Sequence, residues 1–380
     1  MFDEFDVIIV GSGFFGSTVA ERINSNFDLK VAVLEARDHV GGNSYSEVDS
    51  LTQIEYHKYG SHLFHTDNLK VWEYCKKFTT FNSYRHKVLT VHNGEIFSLP
   101  INLGTINQFY RSTLSPQEAR LKILELGKEC LENSEESLES KAISLIGRDL
   151  YEAFIKNYTK KQWQTDPKLL PASIIKRLPV RYNYNNEYFD DAFQGVPTNG
   201  YTKWIEKMLE KSRIYLNTDY FDVKDKIDSS KIIIYTGPID KFFAYEFGEL
   251  TWRTLDFELE VKKTNDYQGN SVINYSDLDV EFTRVHEFKH LHTERNYSSN
   301  STLIMKEYSK FAERNDEPYY PVNSLNDRII LNQYRQLIAK EKNVYFGGRL
   351  GTYQYLDMHM AIASALNFFE NTLKPRLQVI

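Results

Sequence analysis

Apolar residues run without interruption through Val7-Ile8-Ile9-Val10, which predicts a short strand buried on both faces. A glycine-bearing turn, Gly11-Ser-Gly13-Phe-Phe-Gly16, follows, and residues 17–23 read as a helix. Residues 30–35 (Lys-Val-Ala-Val-Leu-Glu) are a second strand of the same kind, so the chain opens with a βαβ unit. The pattern changes over 87–99, where two strand-like runs flank Asn93-Gly94, a pair suited to the positive φ angles of a type I′ turn. Antiparallel strands there mean that the chain has left the parallel sheet. Helical spacing then dominates 101–165. Ser115-Pro116-Gln117-Glu118 combines a cap, an early proline and an acid at the third helical position. A longer helix follows, with one apolar stripe through Leu138, Ala142, Leu145, Ile146, Leu150 and Phe154.

Residues 201–211 are another amphipathic helix, and 214–216 and 231–235 read as strands. Strands dominate from about 252 to 308. Residues 344–346 and 358–373 return to strand and helix, so the first domain is discontinuous. The division expected is 1–80, 197–245 and 315–380 for a dinucleotide domain, 100–176 for a helical domain, and 81–99, 177–196 and 246–314 for a sheet domain.

A chain of 380 residues exceeds one typical core, which agrees with several domains. The net charge of −6, with both signs interspersed, argues against nonspecific nucleic-acid binding. The two cysteines, Cys75 and Cys130, offer no disulfide framework and no metal spacing, and read as buried thiols. The N-terminus has no basic region or cleavage site, and no run of apolar residues is long enough to span a membrane. The expectation is a protein of the reducing cytoplasm. The 26 Tyr, 24 Phe and 4 Trp either fill cores or stack on flat ligands.

Gly11, Gly13 and Gly16 fit G-x-G-x-x-G between a strand and a helix, with Glu35 at the end of the next strand. The first glycine makes the turn. The second lets backbone approach a pyrophosphate, and the third lets helix and strand pack closely. The helix N-terminus presents free N–H groups to the phosphates, and Glu35 would accept hydrogen bonds from a ribose. Gly41-Gly42-Asn43 follows, resembling the second phosphate-contacting turn of FAD proteins. Gly347-Gly348-Arg349 after a terminal strand is a third cue for FAD rather than NAD.

Other segments are unexplained by a dinucleotide. His62 and His65, three apart, lack a third ligand at a convincing spacing, so no metal is expected. Gly60 in the same segment suits a mobile turn beside a flavin. Tyr158 and Trp163 could sandwich a base, or pack a helix end. Arg177 and Arg181 bracket Pro179 in a loop, and arginine suits a diphosphate through its planar fork. Phe282-Thr-Arg284, Pro318-Tyr-Tyr320-Pro and Arg349–Met358 add further arginine and tyrosine. Together these imply an anionic, aromatic-bearing substrate, and a nucleoside diphosphate fits. No protein nucleophile stands out.

Gly11-Ser-Gly-Phe-Phe-Gly16, Gly41-Gly42-Asn43, Tyr59-Gly-Ser-His62-Leu-Phe-His-Thr, Tyr158-Thr-Lys-Lys-Gln-Trp163, Lys176-Arg-Leu-Pro-Val-Arg181, Tyr235-Thr-Gly-Pro238 and Gly348-Arg-Leu-Gly-Thr-Tyr353 resemble, in order and over nearly the whole chain, the UDP-galactopyranose mutases of bacterial type. The resemblance implies an α/β FAD-binding Rossmann-like domain, an inserted helical bundle and a twisted antiparallel sheet. It implies a homodimer that interconverts UDP-galactopyranose and UDP-galactofuranose without net redox, with reduced FAD as the nucleophile at the anomeric carbon. The product would supply galactofuranose to a cell-surface polysaccharide.

Carried over, Gly11, Gly13, Phe14, Gly16, Glu35, Gly41, Gly42, Asn43, Gly60, His62, Gly348, Arg349, Asp357 and Met358 hold the cofactor. Arg177 and Arg284 clamp the diphosphate, and His62 lies by the flavin. Phe154, Tyr158, Thr159 and Trp163 serve the uridine. Tyr188, Asn274, Tyr320, Arg349, Tyr355 and His86 complete the substrate set. Three positions depart from the family pattern: Ser61 where Pro or Ala is common, His86 near an expected Asn, and Gln164 where Gly is usual. They leave sugar selectivity open, so a mutase acting also on UDP-N-acetylgalactosamine is one alternative. A flavin amine oxidase-like oxidoreductase is another, although it leaves Arg177 and Arg284 unexplained. A non-enzymatic nucleotide-sugar-binding protein is a third.

Overall fold

The computed structural model describes residues 2–128, 137–175, 180–297 and 300–379. Strand β1 (Val7–Val10) is the centre of a five-stranded parallel sheet. Its neighbours are β2 (Val31–Leu34) and, from far along the chain, Ile232–Tyr235. Arg213–Tyr215 and Val344–Phe346 form the two edges. The alternation of a strand explains why both faces are apolar. Val7, Ile9, Val31 and Val33 point into one core with helix α1 (Phe14–Asn26) and the helix Met358–Phe368. Ile8, Val10, Ala32 and Leu34 point into the other, with Tyr220 and Tyr235. Cys75 is a buried free thiol in the first core; Cys130 lies outside the described residues.

The second sheet has seven strands in the order Tyr320–Pro321, Trp252–Lys262, Thr302–Phe311, Arg284–Glu287, Val272–Tyr275, Val88–His92, Glu95–Leu99. The hairpin turn takes φ 50° at Asn93 and 75° at Gly94, as its Asn-Gly pair requires. One neighbouring pair, Val272–Tyr275 with Val88–His92, runs parallel within the otherwise antiparallel sheet. A long crossover separates those two strands, and such a connection permits parallel pairing. Tyr320–Pro321 joins this sheet although it falls within 315–380. Phe193–Gly195 pairs with Phe64–Thr66 beside the dinucleotide domain although it falls within 177–196.

The helical domain packs Ile106, Ala119, Ile123, Leu138, Ala142, Ile146, Leu150 and Phe154 into one core. Ser115 and Glu118 form the reciprocal cap that their spacing predicts. The longer helix divides, however. Leu138–Ile146 stops at Gly147, whose φ of 78° no ordinary residue adopts comfortably, and a Cβ there would lie 2.7 Å from Leu126 Cβ. Arg148–Leu150 restarts the helix, Tyr151–Lys156 widens to π geometry, and Asn157–Trp163 completes it. Among the described residues no helix is long and apolar enough to cross a membrane.

Candidate active site

The turn after β1 explains its three glycines separately. Gly11 sits at φ 97°, and a Cβ there would lie 2.2 Å from Thr236 Oγ1. A Cβ on Gly16 would lie 2.1 Å from the Gly11 carbonyl oxygen, so the third glycine seals helix against turn. A Cβ on Gly13 would meet no protein atom within 4 Å, because Gly13 faces a cleft of about 560 Å³. Gly42 closes against it, its Cβ position 3.3 Å from Gly13 Cα. Protein packing does not require the bareness of Gly13, and a dinucleotide pyrophosphate at the N-terminus of α1 accounts for it.

Glu35 reaches into the same turn. It accepts from Ser12 N at 3.0 Å, Ser12 Oγ at 2.6 Å and Arg37 N at 3.1 Å. A carboxylate has about four acceptor positions, so one remains for a ribose hydroxyl. Gly11, Gly13, Phe14, Gly16, Glu35, Gly41, Gly42, Asn43, His62, Gly348, Arg349 and Met358 all line this cleft. Gly60 and Asp357, expected with them, line the neighbouring cavity instead.

That second cavity, of about 1200 Å³, lies between the two sheets and the helical domain. His62, Arg349, Leu356 and Met358 border both spaces. Phe154, Tyr158, Trp163, Tyr188, Asn274, Arg284, Tyr320, Tyr355 and His86 line the second one, as the substrate set requires. Thr159 is buried and lines neither, because the helix turns its side chain away from Tyr158. Arg177 lies outside the described residues.

Arg284 is the charge at the centre. Its Nη2 donates to Tyr158 Oη at 2.8 Å. Its Nε lies 3.1 Å from Glu307 Oε1, an ion pair whose N–H is not aligned as a hydrogen bond. Burial, the largest single influence, opposes the charge on Arg284, but Glu307 together with the surrounding Tyr158, Tyr320 and Tyr188 outweighs it, so the guanidinium is held above its ordinary value. Burial pushes the Tyr158 hydroxyl up to about 12. Burial also takes His62 down to about 4 and His86, which further feels Arg284, to about 3. Both rings are neutral at physiological pH.

A protein-family model described as "UDP-galactopyranose mutase" matches residues 153–355, and one for an NAD(P)-binding Rossmann-like domain matches 9–78. A Klebsiella pneumoniae protein named "Probable UDP-galactopyranose mutase" is 43% identical over 95% of this chain and 93% of its own length. The chain belongs to the UDP-galactopyranose mutase family. A second member, an Escherichia coli protein named dTDP-fucopyranose mutase, is 42% identical over 95% of this chain and 96% of its own. Among solved structures, one described as reduced UDP-galactopyranose mutase superposes with a TM-score of 0.75 at 14% identity, over 98% of this chain and 94% of its own, and shares the fold. Membership makes the chain an isomerase with a dinucleotide-binding fold.

Within this member of the family, Arg349 is committed to the protein. It donates to the carbonyls of Tyr319 at 3.0 Å and Leu356 at 2.6 Å, and its guanidinium lies beside both the Tyr320 and Tyr355 rings, 5.7 and 5.2 Å from their centroids. Those rings, 5.8 Å apart, are thereby presented to the cavity. Asn274 Oδ1 is buried without a protein partner. Gln164 adopts the left-handed conformation, φ 46°, that glycine adopts most readily, and its side chain donates to the Ser309 carbonyl at 2.9 Å.

Four residues of the site escaped sequence reasoning: Glu307, His286, Arg253 and Lys161. Glu307 continues the inward-facing series Leu303, Met305, Glu307, so an acid on the apolar face of a strand was the available signal. Arg253, 2% exposed and stacked on Phe311, has Nε and Nη1 unpartnered, and burial lowers it to about 10. Lys161 Nζ sits among the carbonyls of Tyr275, Asp277, Val280 and Phe282 at 2.6–3.2 Å, which pins the Tyr158 helix to the loop that leads into the strand of Arg284. His65, Asp357 and His359 also bring potential ligand atoms within 4.8 Å of one another.

Proposed function

We propose that this enzyme interconverts UDP-galactopyranose and UDP-galactofuranose, with FAD in the cleft of Gly11–Gly16 working in its reduced form. The reading rests above all on the shared border. His62, Arg349, Leu356 and Met358 face both the dinucleotide cleft and the cavity that contains Arg284, so cofactor and sugar can meet there. When bound, reduced FAD supplies a nucleophile for the anomeric carbon, with no net oxidation. The chain's own residues do the rest. Arg284 neutralises the diphosphate, which leaves the sugar and must return to it. Tyr158 orients that guanidinium through its hydroxyl, and Trp163 and Phe154 offer apolar surface to the base. Neutral His62 brings no charge to the border, and the walls exclude water. Arg177, placed by its sequence segment alone, is the second diphosphate cation. The reading extends to a homodimer, which light scattering tests, and to the supply of galactofuranose for a cell-surface polysaccharide.

Turnover of UDP-galactofuranose by the FAD-loaded protein under dithionite, followed by chromatography, is the expected result. Oxidised enzyme in air should be inactive, and full activity there would rule out the cofactor role. A second reading follows from the dTDP-fucopyranose mutase relative, whose identity is nearly as high. His86 packs its neutral ring on Tyr188 and Phe189 in the sugar cavity, a wall that suits a deoxy sugar. Parallel assays with dTDP-fucose, UDP-galactose and UDP-N-acetylgalactosamine separate the substrates.

A further inference from the structure

Strands Arg284–Glu287 and Thr302–Phe311 are neighbours, and their register sets Arg284 directly opposite Glu307. The Glu307 carboxylate is almost fully buried. Besides Arg284 its nearest partner is His286, whose Nε2 stands 3.0 Å from Oε2, and the Thr283 hydroxyl donates to Oε1 at a longer 3.5 Å. The other ring nitrogen, Nδ1, lies 2.7 Å from Ser61 Oγ. Ser61 stands between Gly60, at φ 90°, and His62, which borders both the cofactor cleft and the substrate cavity. A line of two hydrogen bonds therefore runs from the turn beside the cofactor cleft, through Ser61 and His286, to Glu307, and an ion pair carries it on to the guanidinium of Arg284.

The proton positions on this line follow from its charges. Burial would raise Glu307, but Arg284 and the bond from His286 outweigh it and hold it below its ordinary value, so it is a carboxylate and can only accept. The hydrogen of His286 must then sit on Nε2. Burial lowers His286 despite Glu307, so the ring is neutral and Nδ1 is a bare acceptor. Ser61 must donate to it. The other titratable groups facing this ring are His57, His62 and His86, all lowered by burial and neutral as well. One arrangement of protons serves Ser61, His286 and Glu307 together.

We propose that His286 and Ser61 are positioning residues for substrate binding: they lock the Glu307 carboxylate, which in turn aims Arg284 at the substrate diphosphate. This rests on the reading of the cavity as a sugar-nucleotide site. Arg284 reaches the cavity partly exposed, with Glu307 behind it, so a carboxylate free to rotate would draw the guanidinium away from its aim. Three buried, connected groups restrict that rotation. Gly60 packs against the same carboxylate, its Cβ position 3.7 Å from Glu307 Oε2, so the turn also limits the space available.

The test measures UDP affinity of the FAD-loaded, oxidised protein by titration calorimetry, beside FAD content and thermal midpoint. His286→Leu removes the donor to Glu307 and should raise the Kd about 10-fold with FAD content unchanged. His286→Gln sets an amide nitrogen where Nε2 stood and should return the Kd to within about 3-fold of wild type. Ser61→Ala should weaken UDP by about 3-fold, and Ser61→Thr, which keeps the hydroxyl, should not. Packing alone predicts no rescue by Gln. Equal affinity for His286→Leu and wild type, or a His286→Gln variant as weak as His286→Leu, overturns the proposal. Should His286→Leu fail to fold, Ser61→Ala decides, and an unchanged Kd refutes the line. A wild-type protein that binds neither UDP nor dTDP would instead overturn the sugar-nucleotide reading.

Discussion

Replacing Arg284 with methionine would reverse the pH response of its partner. In the wild type Glu307 is held below 4.5, because Arg284 and His286 together outweigh burial. That pairing contributes stability above the unfolded value and loses it as pH falls through the folded one. In Arg284→Met the largest influence opposing burial is gone, and the folded value is expected to rise above the ordinary one. The carboxyl is then tolerated below the unfolded value, and stability is lost as pH rises through the folded one. Breaking a fully buried pair costs about 3–5 kcal/mol; the Arg284 side chain is 27% exposed, so about 2–3 kcal/mol applies at pH 8. For a chain of 380 residues that corresponds to a midpoint about 2.5–4 °C lower. At pH 5 the variant protonates Glu307 and the difference should shrink to about half of that or less. Calorimetric scans of FAD-loaded wild type and variant at pH 5 and 8 measure the two gaps. Equal gaps would show that the ionisation of Glu307 does not depend on Arg284. Activity should fall about 10- to 100-fold, since the lost diphosphate contact is worth about 1.5–3 kcal/mol and each 1.36 is tenfold.

Gly13→Val should fold normally yet purify without flavin, because a Cβ at this position meets no protein atom within 4 Å and faces the cofactor cleft; a yellow protein with full FAD would refute this. Lys161→Met removes the ammonium from four carbonyls and frees the Tyr158 helix, so UDP affinity should drop about 10-fold while FAD content holds. Arg177→Ala should lose about 10- to 100-fold in turnover with little change in midpoint. Arg181→Ala should do the opposite, because Arg181 is buried against Asp190 at 2.6 Å and the Glu187 carbonyl; matching effects for the two would erase the distinction.

What the sequence conveyed best was local. Strand, glycine turn and helix around Gly11–Gly16 are contiguous, and their reasons lie within ten residues of each other, apart from Thr236. The cap at Ser115 and the turn at Asn93-Gly94 were legible for the same reason. Glu307 and His286 were not, because their significance comes from a cross-strand register between segments far apart in the chain. Read alone, His286 is one histidine in a strand and Glu307 one acid in a charged run. The break at Gly147 was hidden differently: apolar spacing continues across it, and only the neighbouring Leu126 reveals why the backbone must turn. Thr159 was carried along with Tyr158 by proximity in sequence, while helical geometry sends the two side chains in different directions.

The order of strands in the parallel sheet has a consequence for synthesis on the ribosome. β1 and β2 emerge first, yet β1 needs Ile232–Tyr235 on its other side, and that strand in turn needs Val344–Phe346. The helix Met358–Phe368, which covers the same core as α1, arrives later still. A nascent chain therefore carries an apolar, half-paired nucleus until Val344–Phe346 and the helix Met358–Phe368 have emerged to close it. Contacts this distant in sequence favour slow folding. They also make the C-terminal helix a checkpoint: a message truncated before it yields a protein whose first-made core stays open, so premature stops late in the gene should be as damaging as early ones.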